Sequence, residues 1–329
     1  MSFLSAVSEL LHPAPPPSAA VQQVLDRVAE VVAPILKADP AFERHLAAPV
    51  EYALGYCDGL IAGLPGPIEI GQHSFASDPL VHALFATADD IHQMLGRSQA
   101  VRDYLADPAS YGCDHFYALF AARRQEKSQL GMRVQGDVIQ SDVPQRVLYF
   151  SDQTLVEPSA ALEHTLRGLQ RQAVDSLLLS FRDHIEALRA EREGLRSDLS
   201  VERAHLTVLR GRSDGQEYRV HTRHIAEIDL RLRSAAHALM PEHLVAALAD
   251  FLHSPETSLN LTPVSISIDR MGVVCAADSG HGEVHTINFP ELNARDRRHY
   301  LVMLARINRD EAMAAVAQVR DQQHRFLLI

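Results

Sequence analysis

Lysine is nearly absent from this chain of 329 residues: Lys37 and Lys127 are the two present, and arginine supplies the rest of the 31 basic residues. A P-loop needs Gly-Lys-Ser/Thr, because its lysine reaches the β- and γ-phosphates. Lys37 follows Leu36 and Lys127 follows Glu126, so that nucleotide motif is excluded. A Schiff-base lysine has the same two candidates. Cysteine is sparse as well. Cys57, Cys113 and Cys275 form no CxxC pair and no zinc ribbon. With no recognisable signal peptide, they point to a reducing compartment, the cytoplasm. No run approaches the roughly 18 apolar residues that a membrane span needs. The GxSxG, GxGxxG and HExxH motifs are absent, which removes the nucleophile elbow, the dinucleotide fingerprint and the zincin.

Positive charge is lacking too. A net charge of -11 argues against a protein that coats nucleic acid. Between 163 and 233, 13 arginines interleave with 12 acids. That is a solvated helical face, whereas counterion release needs a basic excess. The cluster Arg295, Arg297, Arg298 has Asp296 within it. Nucleic acid is therefore not an expected partner. Membrane-surface contact is not expected either: the amphipathic stretch Phe3, Leu4, Val7, Leu10, Leu11 contains Glu9 and no flanking basic residue.

What remains is an ordinary globular composition, 47% hydrophobic and 22% charged, in a chain long enough for two domains. Residues 1–17 read as an N-terminal amphipathic segment and a proline-rich spacer. Residues 18–130 read as a helical bundle. Val21, Val24, Val28, Val31 and Ile35 make one apolar face, Phe42 to Ile61 a second helix, and Ser77-Asp78-Pro79 a capped start with proline at the first helical position. Ser98 starts a further helix, and Cys113 to Gln129 reads as another. Residues 131–158 read as a β-hairpin connector, alternating at Val134, Val138, Val147 and Tyr149 around a turn at Ser141-Asp-Val-Pro144.

Residues 159–252 carry the strongest signal. Val174, Leu178, Phe181, Ile185, Leu188, Arg192, Leu195, Leu199, Glu202, Leu206 and Leu209 follow alternating spacings of 4 and 3. After a break at Gly211–Gly215, Ile225, Ile228, Leu232, Ala235 and Leu239 resume the pattern. The two sets predict an antiparallel coiled-coil hairpin arm, with a parallel dimer through the first helix as the other arrangement. Residues 253–329 predict a small α+β module. It has a three-stranded meander, a bulge or break at Pro263, a second strand over Val273–Ala276 and a third over Val284–Phe289. A helix from about 292 to 324 completes it. The expected fold is mostly α with minor β.

Candidate chemistry is thin. Acid–histidine pairs three apart, as in helical carboxylate metal sites, occur at Asp89/His92, Glu202/His205 and Asp321/His324. With 42 acids and 18 histidines in 329 residues, about two such pairs arise by chance. His281 and His285, with Asp278 in the preceding Gly-rich turn, form a possible zinc set. Cys113-Asp114-His115 places a thiol near an imidazole in sequence, although catalytic pairs are spatial. No cofactor is indicated.

The leading expectation is a non-enzymatic cytoplasmic adaptor or scaffold. It assembles through its arm with a protein partner or as a homo-oligomer, by way of Leu178, Phe181, Ile185, Leu188, Leu195, Leu199 and Leu206. The alternatives are a metal-binding protein or hydrolase with a site in the C-terminal module, and a small-ligand-binding regulator.

Overall fold

A computed structural model describes residues 17–135, 138–209, 215–269, 271–275, 284–294 and 299–326, the side chains of 133–139 and 323–326 excepted. The N-terminal segment 2–11, the Arg295–Arg298 cluster and the last three residues lie outside the described residues. The chain forms two compact units, residues 1–56 with 174–255 and residues 57–173 with 256–329. It is mostly helical, with one six-stranded sheet.

The first unit is helical. Helix α1 (Ala19–Val31) is capped by Ser18 and buries Val21, Leu25 and Val28. A 3-10 turn, Pro34–Ala38, follows it. Helix α2 (Phe42–Ala62) contributes Leu46, Val50 and Ala53 to this unit. The proline-free stretch beyond 159 forms one helix of 48 residues, α7 (Leu162–Leu209). At 1.5 Å per residue it is about 72 Å long. Helix α8 spans Gly215–Ala238 and α9 spans Pro241–Leu252. Arg27 of α1 grips Asp175 of α7 with two parallel bonds of 3.0 Å. Phe181 of α7 meets Phe251 of α9 at 5.5 Å between ring centres.

The second unit is built on the sheet, whose strands are β1 (Ile68–Glu69), β2 (His115–Gln135), β3 (Val138–Ser159), β4 (Asn260–Ile268), β5 (His285–Asn293) and β6 (His299–Asn308). Their order is β3-β2-β6-β5-β4, with β1 parallel to β6. Helices α3 (Gln72–Ser77), α4 (Pro79–Leu84), α5 (Ala88–Arg97) and α6 (Gln99–Ala106) precede it. The capping signals hold: Asp78 accepts from Leu80 N at 2.8 Å, and Ser98 accepts from Val101 N. Thr87 and Asp90 form a reciprocal capping box that starts α5. Gly96 of α5 lies against α10 (Arg309–Phe326). A Cβ there would stand 2.5 Å from both Ala315 O and Val319 Cγ2, so glycine sets the approach of these two helices.

Three expectations are corrected here. Cys113 to Gln129 is not helical: His115–Gln135 is strand β2, paired with β3 (Val138–Ser159) and, over its first nine residues, with β6 (His299–Asn308). Phe116, Ala118, Phe120, Ala121 and Ala122 are all buried. A strand covered on both faces loses its alternation and reads as an apolar run, which periodicity cannot separate from a helix. The same cause hid β6. Its residues Leu301 to Ala305 are buried in succession, so the helix expected from 292 begins instead at Arg309.

The hairpin is longer than the connector expected at 131–158, and Ser141 to Pro144 is not its turn. Those residues belong to β3, and Gln135 pairs with Val138. Three register shifts each place one extra residue on β3. At these shifts Asp142, Asp152 and Glu157 take positive φ of 58°, 54° and 52°. These are bulges that bend the ribbon, with Asp tolerating the left-handed region better than most residues. The sequence cue for a turn at 141–144 is therefore a bulge cue.

Third, Pro263 causes no break. Strand β4 (Asn260–Ile268) pairs with β5 (His285–Asn293) in unbroken register, Pro263 opposite Pro290. β4 is the sheet's edge, where a missing N–H need not cost a ladder bond. Val273 and Val274 make isolated bridges to Val147 and Ile268, and Ala276, where the expected strand ends, lies outside the described residues.

Candidate functional site

Within the first unit, α7 and α8 lie side by side in opposite directions. Glu191 pairs with Arg231 at 3.0 Å and Glu202 with His221 at 2.6 Å. As one residue number rises its partner's falls, which is the signature of antiparallel helices. Their contact is small. Leu195 and Leu199 of α7 bury against Ile228 and Ala235 of α8, with Ile225 and Leu232 half-buried beside them. Along α7 the positions 185, 188, 192, 195, 199, 202, 206 and 209 are buried or half-buried, while most of the intervening residues face solvent. The 3-and-4 spacing thus selects the covered stripe.

Two polar residues occupy that stripe. Arg192 has a buried Nε that, among the described residues, has no hydrogen-bond partner. Glu202 is shared by two histidines of α8. The Nδ1–H of His221 donates to Oε2 at 2.6 Å, and that of His224 to Oε1 at 3.1 Å. An ionised carboxylate only accepts, so both imidazoles are donors here. The bond from His221 holds the Glu202 carboxyl below the usual carboxylate range, against a smaller opposing effect of desolvation. His205, one turn along α7, brings its ring to 5.8 Å from that of His221, edge-on at 80°. One ligand atom each from Glu202, His205 and His221 lie within 4.8 Å of one another.

The sequence pairs fare differently. Glu202/His205 gains the facing His-x-x-His of α8, residues 221 and 224. That signal is legible only once the antiparallel register is known. Asp89 instead bonds Gln93, and His92 faces Glu311 of α10 at 3.5 Å. The side chain of His324 lies outside the described residues. So do Asp278 and His281, which leaves the predicted zinc set to be judged on His285 alone. His285 starts β5 opposite Ile268. It lines a cavity of about 790 Å³ together with His82, Phe85, Tyr149 and Asp269.

Of the seven arm residues expected to meet a partner, Leu178, Phe181 and Ile185 are fully buried in the first unit. Leu195 and Leu199 belong to the α7–α8 cluster. Leu188 and Leu206 are half-buried. The exposed apolar side chains on the pair are others: Val201 and Val208 on α7, and Val220 and Leu230 on α8.

Cys113 and His115 form no thiol–imidazole pair. Cys113 donates to Ser110 O at 3.0 Å and stands 3.2 Å from the Tyr104 hydroxyl, whose ionisation burial makes harder. His115 faces Arg306 instead. Cys57 is fully buried, and burial, with the charge of Asp58, pushes its thiol up to about 12. An unfolded cysteine ionises near pH 8.5. The folded chain keeps a proton that the unfolded chain releases, so this contribution is full below about pH 8.5 and is lost as pH rises towards about 12. Urea midpoints measured between about pH 8 and 11 should fall less steeply in Cys57→Ala than in the wild type. Parallel curves would contradict this.

Among the described residues, no helix is long and apolar enough to cross a membrane. No known family model, curated protein or solved structure matches the chain.

Proposed function

We propose that this chain is a non-enzymatic cytoplasmic interaction protein, an adaptor or scaffold whose α7–α8 pair acts as a coiled-coil arm. The observation that carries the reading is the arm's composition. Its own seam buries four residues, a small return on two long helices, while Val201 and Val208 stand exposed one heptad apart. Helices of this kind bury their remaining apolar face against another helix, from a second copy or from another protein. The three free cysteines fit a reducing compartment.

The test separates the seam from the outer face. Val201 and Val208 are 52% and 66% exposed, so changing both to Asp leaves the arm folded. Surface substitutions of this kind stay within about 0.5 kcal/mol. The double variant should lose its oligomer or bound partner, read by sedimentation of protein purified from its native source. Assembly that survives with the arm helical would contradict the reading.

A further inference from the structure

We infer that Glu202, His205 and His221 form a binding site for one divalent transition-metal ion, with zinc the best match, clasping α7 to α8. The inference goes beyond the interaction role and does not depend on it.

The argument begins with what the seam holds. Positions 202 and 221 lie on the covered stripe of the helix pair, where apolar residues are the stable choice. They hold a carboxylate and an imidazole in direct contact, nineteen residues apart in sequence. A Glu-x-x-His on α7 faces a His-x-x-His on α8, and each pair has the three-residue spacing that turns both side chains to one side of a helix. Two imidazole nitrogens and one carboxylate oxygen are the donors zinc takes, with a fourth position left for water. Magnesium and calcium prefer sets made wholly of oxygen.

The geometry is near that of a bound ion. Tetrahedral zinc with bonds near 2.1 Å holds its ligand atoms about 3.4 Å apart. The three atoms already lie within 4.8 Å of one another, and His205 is exposed and free to turn. In the metal-free protein a proton sits between Glu202 and His221. An ion bound at Nδ1 takes the place of that proton, and the neutral ring then carries its one proton on Nε2. His224, on the other carboxylate oxygen at 3.1 Å, keeps Glu202 turned toward the site. Outer partners of metal-binding carboxylates commonly do this.

The experiment uses the full chain, untagged and stripped with chelator, titrated with Zn²⁺ by calorimetry in the presence of excess Mg²⁺. The expected result is one ion per chain. Because His205 is exposed, His205→Gln leaves the arm folded, and it should weaken binding by tenfold or more. Glu202→Gln should do the same. His224→Gln should weaken it by about 10- to 100-fold, as changes to outer partners do. A double change at His237 and His243, a second close pair with rings 3.9 Å apart, should change nothing. Zinc should also slow amide exchange on both sides of residues 210–214. The inference is overturned if the wild type takes up no zinc. It is equally overturned if His205→Gln binds as tightly as the wild type, since the ion is then held adventitiously by other histidines.

Discussion

Changing Leu195 to Asp should part α7 from α8. Leu195 is 4% exposed and is one of the four residues that hold the pair together. Truncating a buried leucine costs about 2–5 kcal/mol, and an unpaired carboxylate left in the seam adds its desolvation. So small a cluster has little to set against that loss, and the opening is local. Amide exchange over 189–209 and 215–235 should therefore rise to near the unfolded rate. The sheet-bearing unit should keep its protection. Unchanged exchange in the arm would show that Leu195 is not a seam residue.

The second large effect is expected at Phe120. Its ring is fully buried and lies 5.7 Å from that of Phe85. The residue pairs with Leu155 of β3 on one side and Met303 of β6 on the other. Phe120→Ala should cost about 3–5 kcal/mol, read as a lower urea midpoint for the second unit with the arm's helicity kept. A cost below about 1 kcal/mol, typical of an exposed position, would contradict the central place of β2.

These two residues mark what the sequence made legible. Leu195 sits in a helix with solvent on one side, so its burial left a 3-and-4 rhythm from Val174 to Leu209. Phe120 sits in a strand with protein on both sides, and there burial erases rhythm. His115 to Ala122 and Leu301 to Ala305 both look like pieces of helix for that reason. Their pairing with each other, which sets Tyr117 opposite Arg306 and Leu119 opposite Leu304, is a fact of topology that local spacing does not encode. Pro263 misled in a different way: its restriction is real, but an edge strand tolerates it.

The Glu202 cluster falls between these cases. The pair Glu202/His205 was visible, but no different from a chance pair. His221 and His224 carry no signal of their own in the sequence. Only the opposed directions of α7 and α8 bring the four together. The buried Nε of Arg192, without a hydrogen-bond partner among the described residues, is a further polar position in the same seam.

The most direct measurement is the assembly state of the purified full-length protein beside the Val201→Asp/Val208→Asp variant, by sedimentation, with helicity of both confirmed by circular dichroism. The account predicts an oligomer or a stoichiometric complex for the wild type and a folded, unpartnered monomer for the variant. A wild type that is itself an unpartnered monomer, or a variant that assembles as before, would contradict it.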